Sequence, residues 1–231
     1  MQNIDYLKTM LSRTSKMPCD SIGLPAWECI TGGKLSKING STCYKCYAMQ
    51  GMYRMPNVKN KNYERLDFFN SKEFIPAMVL ILNNKKNKLF RWFDTGDVQS
   101  VIMALNILTI CDETPNIKHW IASRESKIWK AVKKIRSIPE NVCLRISATM
   151  IDQKPSNIFN NTSTVNSQYN KNIIGKECQA FRTLKNGEMI SLNKYLKLKK
   201  EKQLSKYNLG NCGHCQDCWK VTIKNISYPL H

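Results

Sequence analysis

The sequence lacks any segment that would cross a membrane. No apolar run in its 231 residues approaches the roughly 20 residues that a membrane-spanning helix requires. The N-terminus also lacks the basic start and the long apolar block of a secretory signal. These absences exclude a membrane-spanning helix and predict a cytoplasmic protein with no membrane partner.

Acidic residues and arginine are both scarce. Asp and Glu number 17 against 36 Lys and Arg, which gives a formal net charge of +19, and only 8 of those cations are Arg. A surplus of positive charge favours a polyanionic partner, because bound cations displace counterions from a phosphate backbone. Arginine binds phosphate better than lysine because its planar guanidinium can donate two hydrogen bonds at once. The scarcity of arginine therefore weakens that inference. Nucleic acid is therefore a candidate partner that charge alone does not establish.

Cysteine, in contrast, is abundant and occurs in two groups, one near each end of the chain. The first group consists of Cys29, Cys43 and Cys46, and the second of Cys178, Cys212, Cys215 and Cys218. In a cytoplasmic protein thiols stay reduced, and closely spaced thiolates are good ligands for zinc and for iron-sulfur clusters. Both groups are therefore interpreted as metal or cluster sites rather than disulfides.

The first group has three thiols, and three thiolates leave a fourth coordination position open. Cys43 and Cys46 have the Cys-x-x-Cys spacing that presents two sulfurs to one point, and a Gly-rich loop allows Cys29 to fold back toward them. An open position is typical of a reactive metal site. The alternative is a structural zinc site with Cys19 as the fourth ligand, and Cys19 is also interpretable as a buried core thiol.

The second group supplies four thiols, with Cys178 as the expected fourth ligand beside the closely spaced terminal cysteines. This set fits either structural zinc or a second, auxiliary [4Fe-4S] cluster. His214 could replace one thiol, but the regular spacing of Cys212 and Cys215 favours a position beside the site.

The middle of the chain predicts an α/β fold. Strand patterns at 88–94, 118–123 and 141–147 alternate with helical patterns at 98–111 and 125–135, which indicates parallel strands joined by right-handed crossovers.

Active sites of parallel α/β folds gather at the carboxyl ends of strands. The polar residues at these ends are the candidate catalytic residues: Asp94, Asp97, Ser123, Arg124 and Ser147. The Asn/Ser/Thr-rich stretch 152–172 predicts a loop over the site. The expected organisation is an α/β cluster-binding domain over 1–175 with a small cysteine-rich metal-binding segment, 176–231, packed on it.

Five motifs in order along the chain resemble the phage gene product 88 family: Leu24-Pro-Ala-Trp-x-Cys29, Cys43-x-x-Cys46-Tyr47-Ala48, Asp94-Thr-Gly-Asp97, Arg145-x-Ser147 and Cys212-x-x-Cys215-x-x-Cys218-Trp219. The Cys-x-x-Cys-Tyr-Ala core is also similar to the cluster loop of radical S-adenosylmethionine (SAM) proteins. That similarity implies a [4Fe-4S] cluster bound by three cysteines and a partial (β/α) barrel. A phage-encoded chain would act in the host cell cytoplasm.

Two departures from the radical SAM pattern concern the cluster and SAM. Thirteen residues separate Cys29 from Cys43, where the usual loop has three, and no Gly-Gly-Glu motif for the methionine amino group is present. The leading hypothesis is a radical SAM-like enzyme that needs an electron donor and acts on an unknown substrate. The alternative is a non-enzymatic zinc- or cluster-bearing protein that binds nucleic acid.

Overall fold

The fold is a mixed α/β structure built on one open sheet, in a computed structural model that describes residues 4–167 and 173–230. The described helices are α1 (Ile4–Lys8), α2 (Ile30–Leu35), α3 (Pro56–Phe69), α4 (Phe74–Asn83), α5 (Val101–Asp112), α6 (Ser126–Ile135) and α7 (Leu192–Lys200). The described strands are β1 (Ser12–Arg13), β2 (Asp20–Ile22), β3 (Leu89–Trp92), β4 (Lys118–Ser123), β5 (Val142–Ser147), β6 (Asn161–Asn166), β7 (Lys176–Glu177) and β8 (Asn225–Pro229).

The sheet has eight strands in the order β1-β2-β3-β4-β5-β6-β8-β7. Only the β1–β2 pair is antiparallel, and every other neighbouring pair is parallel. Strands β3, β4 and β5 are neighbours linked by α5 and α6, which confirms the predicted parallel strand-helix alternation. The sheet is not closed, since β1 and β7 lie at its two edges.

The two faces of the central strands are buried by different parts of the chain. Phe90 and Trp92 of β3 join the main core with side chains from α3 to α6, and the Trp92 ring lies 6.2 Å from that of Phe69. Burying one large apolar side chain of this kind contributes roughly 1.5–3 kcal/mol. On the opposite face, Trp120 packs against Trp219, whose Nε1 donates to the Phe90 carbonyl at 2.8 Å. The C-terminal segment therefore covers the face that the helices leave open.

Helices α3 and α4 are separated by a break that does not fall at Pro76. Helix α3 ends at Phe69 and α4 begins at Phe74, so Pro76 lies in the first turn of α4. A proline is tolerated there because the first N–H groups of a helix have no intrahelical acceptor.

The predicted loop over 152–172 is wrong where it overlaps β6, and residues 168–172 of it lie outside the described residues. Strand β6 is polar but buried, and it pairs in parallel with β5 and β8. Its side chains bond across the sheet: Thr162 Oγ1 donates to Asn225 Oδ1 at 2.9 Å, and Thr164 and Ser227 hydroxyls lie 3.0 Å apart. Buried polar side chains are tolerated when they find partners of this kind.

The buried guanidinium of Arg145 joins the cysteine-rich segment to the sheet. It donates to the backbone carbonyl of Thr162 in β6 and to four carbonyls of that segment, those of Asp217, Cys218, Lys220 and Ile223. Five donors on a planar group match this arrangement, which no lysine could reproduce. Segment 176–231 also supplies β7 and β8 to the same sheet. None of the helices in the described parts of the chain combines the length and apolarity needed to span a membrane.

A buried histidine makes the core sensitive to acid. His119 of β4 is fully buried, its Nδ1 accepts from Trp92 Nε1 at 3.2 Å, and its Nε2 lies 2.9 Å from Thr114 Oγ1. Because indole N–H only donates, Nδ1 carries no proton and the ring is neutral. Burial lowers the pKa of His119 to about 3.

Acidification should therefore destabilise the fold through His119. Its folded-state pKa is below its unfolded value, so stability is lost as the pH falls below about 6.5 because the unfolded chain takes up a proton first. From pH 7 to pH 5 this loss amounts to roughly 2 kcal/mol. Urea titrations of the wild type and of His119→Gln at both pH values measure it. An equal loss in the two proteins would contradict the assignment.

Candidate functional site

Six of the predicted site residues line one cavity of about 100 Å³ at the carboxyl ends of β3 and β4. They are Cys29, Cys43, Cys46, Asp94, Asp97 and Arg124. The cavity is also lined by Gly32, Tyr47, Arg91 and Thr95. We refer to it as the cysteine pocket.

Helix α2 brings Cys29 next to Cys43 despite the long sequence between them. Cys29 caps the start of α2, and the helix is fixed there by Glu125, whose carboxylate accepts from the Thr31 N–H at 2.7 Å and the Thr31 hydroxyl at 2.8 Å. A Cβ placed on Gly32 would lie 3.6 Å from the Cys29 Sγ and 3.7 Å from the Cys43 Sγ. Gly32 therefore keeps open the space between the two thiols.

A tight turn presents the remaining thiols. The Cys46 N–H donates to the Cys43 carbonyl at 3.0 Å, and Lys45 between them has a φ of 53°. Thr42, just before the turn, is held to the chain after β5, because its N–H donates to the Thr149 carbonyl at 2.9 Å. The turn is thus fixed to the chain that follows β5.

Burial favours the neutral form of two thiols of this group, those of Cys29 and Cys43. Burial raises the pKa of Cys29 and of Cys43, and neighbouring thiols add to both shifts. Arg124 opposes this effect and lowers the pKa of Cys43. A bound cation would favour the thiolates and displace their protons, as metal binding to cysteine requires.

Asp97 is the most connected polar group of the pocket. Its Oδ1 accepts from Ser123 Oγ at 2.7 Å and from the Val98 N–H at 2.8 Å, while its Oδ2 accepts from the Arg124 N–H at 2.6 Å. Burial raises the pKa of Asp97 to about 6, although these three donors favour the charged form. The carboxylate holds the end of β4 against the turn after β3. Ser123 therefore forms a hydrogen bond with Asp97 and does not line the cavity.

Asp94 and Arg124 are two further polar residues that line the pocket. Asp94 Oδ1 is buried and accepts no hydrogen bond from any described residue, while its backbone carbonyl accepts from Tyr47 Oη at 2.6 Å. Arg124 Nε donates to Thr42 Oγ1 at 3.0 Å. These two residues thus add a carboxylate and a guanidinium to the groups that line the pocket beside the three thiols.

Ser147, the last predicted catalytic residue, lies elsewhere. Its hydroxyl accepts from Ser163 Oγ at 2.9 Å, so it forms a cross-strand contact between β5 and β6. It does not line the cysteine pocket.

The second thiol group also surrounds one cavity. Cys178, Cys212, Cys215 and Cys218 line a space of about 300 Å³ together with His214. Burial raises the pKa of Cys178 and of Cys218 to about 12, and the other thiols of the group contribute to the Cys178 shift. Cys218 Sγ lies 3.2 Å from Tyr228 Oη. The structure thus brings together the four cysteines predicted to form one site.

Cys19 lies with the second group rather than the first. It is buried with Trp120 and Trp219, and Cys212 is among the groups that raise its pKa. The alternative in which Cys19 completes a zinc site with Cys29, Cys43 and Cys46 therefore has no geometric support.

All ten cysteines are free thiols. As the side chains are placed, no three His, Cys, Asp or Glu residues within 4–167 and 173–230 are arranged to hold a metal ion. Sequence reasoning missed three residues that shape the cysteine pocket: Gly32, Arg91 and Glu125. The glycine pair at 32–33 was the one visible signal, since nothing in sequence links Glu125 to Thr31.

A family model described as Gene product 88 matches residues 2–221. No curated protein and no solved structure matches the chain.

Replacing Asp97 by asparagine should destabilise the protein, whereas Asp94→Asn should not. An amide at position 97 would set an N–H group against one of the three donors and leave it unpaired, at a cost of about 1–3 kcal/mol. Asp94 Oδ1 accepts no hydrogen bond from the described residues, so its replacement removes no such bond and should cost less than about 1 kcal/mol of unfolding free energy. Denaturant unfolding at pH 7.5 compares the two variants. Equal losses would show that Asp97 does not hold the site together.

Proposed function

The chain belongs to the gene product 88 family, and we propose that it is a radical SAM-like iron-sulfur enzyme that acts in the cytoplasm, with a [4Fe-4S] cluster bound by Cys29, Cys43 and Cys46. The observation that carries this proposal is the meeting of three thiols, two carboxylates and two guanidinium groups at one cavity. The space that Gly32 leaves between Cys29 and Cys43 fits a shared group. Binding requires thiolates, so any protonated thiol must lose its proton, and the three sulfur atoms must turn toward a common centre.

The remaining pocket residues have distinct roles in this proposal. Cys29, Cys43 and Cys46 would hold the cluster, and the bound cluster would supply the reducing electron for the cleavage of SAM. Asp94, whose buried Oδ1 accepts no hydrogen bond from any described residue, suits the SAM ammonium, and Arg124 suits the carboxylate. Asp97 and Ser123 position Arg124 through its backbone N–H.

We assign the second cavity to zinc or to a second iron-sulfur cluster, with Cys178, Cys212, Cys215 and Cys218 as ligands. Four thiolates fill a tetrahedral shell, so this site would be closed and structural or electron-transferring. In this proposal the open, mostly parallel sheet corresponds to the partial (β/α) barrel that the radical SAM similarity implies. A zinc-bearing protein that binds nucleic acid without catalysis is the competing function.

Iron and sulfide analysis tests the cluster. Protein purified without oxygen should contain iron and acid-labile sulfide, and Cys43→Ala/Cys46→Ala should lose the first cluster while keeping metal at the terminal cysteines. Reduction with SAM should release 5'-deoxyadenosine from the wild type and none from the variant. A colourless protein that contains only zinc would exclude the radical SAM proposal.

The two adjacent glycines of α2 offer a matched pair of variants. Gly32→Ala places a Cβ 3.0 Å from the Cys29 Cβ and between the two thiols, whereas a Cβ at Gly33 meets nothing within 4 Å. We expect Gly32→Ala to lower the iron bound at the first site, and Gly33→Ala to keep it and to gain up to about 1 kcal/mol in stability. Equal iron content in the two variants would place the cluster elsewhere.

A further inference from the structure

A basic groove begins where the cysteine pocket ends. It encloses about 820 Å³ between the β1 region and α3, and it shares Asp94 and Thr95 with the pocket. Its charged and polar lining comes from Arg13, Lys16, Tyr53, Asn57, Lys61 and Arg65. The two spaces therefore adjoin along the turn after β3.

Two tyrosines mark the passage between the groove and the pocket. Tyr53 lines the groove and Tyr47 lines the pocket, and their rings meet edge to face with centroids 5.7 Å apart. Tyr47 is fixed by its hydrogen bond to the Asp94 carbonyl. A chain lying in the groove would thus pass an aromatic side chain on its way to the cavity that holds the thiols.

The groove is positive because its cations are largely uncompensated. Among the described residues, Arg13, Lys16 and Arg65 have no carboxylate within 4.0 Å, and only Lys61 forms an ion pair, with Glu64 at 2.9 Å. Lys16 Nζ donates to the Leu209 carbonyl and Arg65 Nε to that of Met10, so both charges are held in place. Asp94, at the end toward the pocket, is the acidic lining residue.

We propose that this groove binds single-stranded nucleic acid and leads one nucleotide toward the cysteine pocket. Positive charge along a groove, with an aromatic ring for a base, is the common means of binding single strands. Tyr53 and Asn57 add a stacking surface and an amide, which an acidic peptide would not need. The binding site stands on the groove alone, whereas the delivery of a nucleotide as substrate rests on the proposed function.

A pair of charge-matched variants tests where the strand binds. Arg13→Gln/Lys16→Gln removes two exposed groove cations, and Lys197→Gln/Lys200→Gln removes two exposed cations from α7. A labelled 12-nucleotide single strand should bind the wild type with strong salt dependence. The groove variant should reduce the slope of log K against log salt by about 1.4, which is roughly twentyfold weaker binding at 0.1 M salt, and the α7 variant should match the wild type.

Photocrosslinking locates the contact directly. A single strand containing 4-thiouridine should crosslink to peptides that contain Tyr53 or Arg13. Equal losses in the two double variants, crosslinks confined to α7, or equally tight binding of polyglutamate would each overturn the proposal.

The cluster and the groove can fail separately. The Cys43→Ala/Cys46→Ala protein should bind the strand as the wild type does, because neither cysteine lines the groove. Strand binding without iron would refute the cluster and keep the groove. Iron and SAM cleavage without strand binding would refute the groove and keep the cluster.

Discussion

The turn from Asp94 to Asp97 is the constraint on which the site depends. Its backbone is locked to the segment after β2, since the Leu24 N–H donates to the Thr95 carbonyl at 2.8 Å and Thr95 Oγ1 donates to the Leu24 carbonyl at 3.0 Å. Gly96 has a φ of 70°, and a Cβ there would lie 2.5 Å from the Leu24 carbonyl oxygen, so only glycine fits. The Asp97 carboxylate fixes the end of β4, and the Asp94 carbonyl holds Tyr47 of the cysteine turn. One four-residue turn therefore aligns three segments that are distant in sequence.

The parts of the fold that sequence predicts well are those whose signal is local. Apolar strands β3 to β5 alternate with α5 and α6, and their bounds fall within about three residues of the sequence patterns. Strand β6 was missed because its residues Asn161–Asn166 have loop composition, while the side chain that bonds to Thr162 and Thr164, that of Asn225, lies more than 60 residues away in β8. Polar burial of this kind depends on pairing, which composition does not contain. The role of Glu125 was missed for the same reason, since its carboxylate holds α2 through a contact between segments distant in sequence.

Tertiary contacts, rather than close spacing in the sequence, bring the three cysteines to one pocket. A short loop places three thiols together by covalent proximity alone. Here the thirteen residues after Cys29 are taken up by α2 and by a turn at Gly40, with a φ of 80°, which returns the chain to Cys43. A bridge between Ser41 and Met150 secures that return to the region after β5. Tertiary contacts therefore do what spacing does in a compact loop, and the spacing motif alone neither predicts nor excludes the shared pocket.

Three of the eight arginines lie at buried or pocket positions that suit a guanidinium group. Arg145 satisfies five carbonyls, Arg124 lowers the pKa of Cys43, and Arg91 stacks 4.5 Å above Trp120 while lowering the pKa of both Cys19 and Cys212. These are interior or pocket positions where a planar cation with several fixed donors is required. Most lysines remain on the surface, where a point charge is sufficient. Arg91 and Arg124 thus lie beside thiols, where their charge opposes the effect of burial and favours the thiolate form.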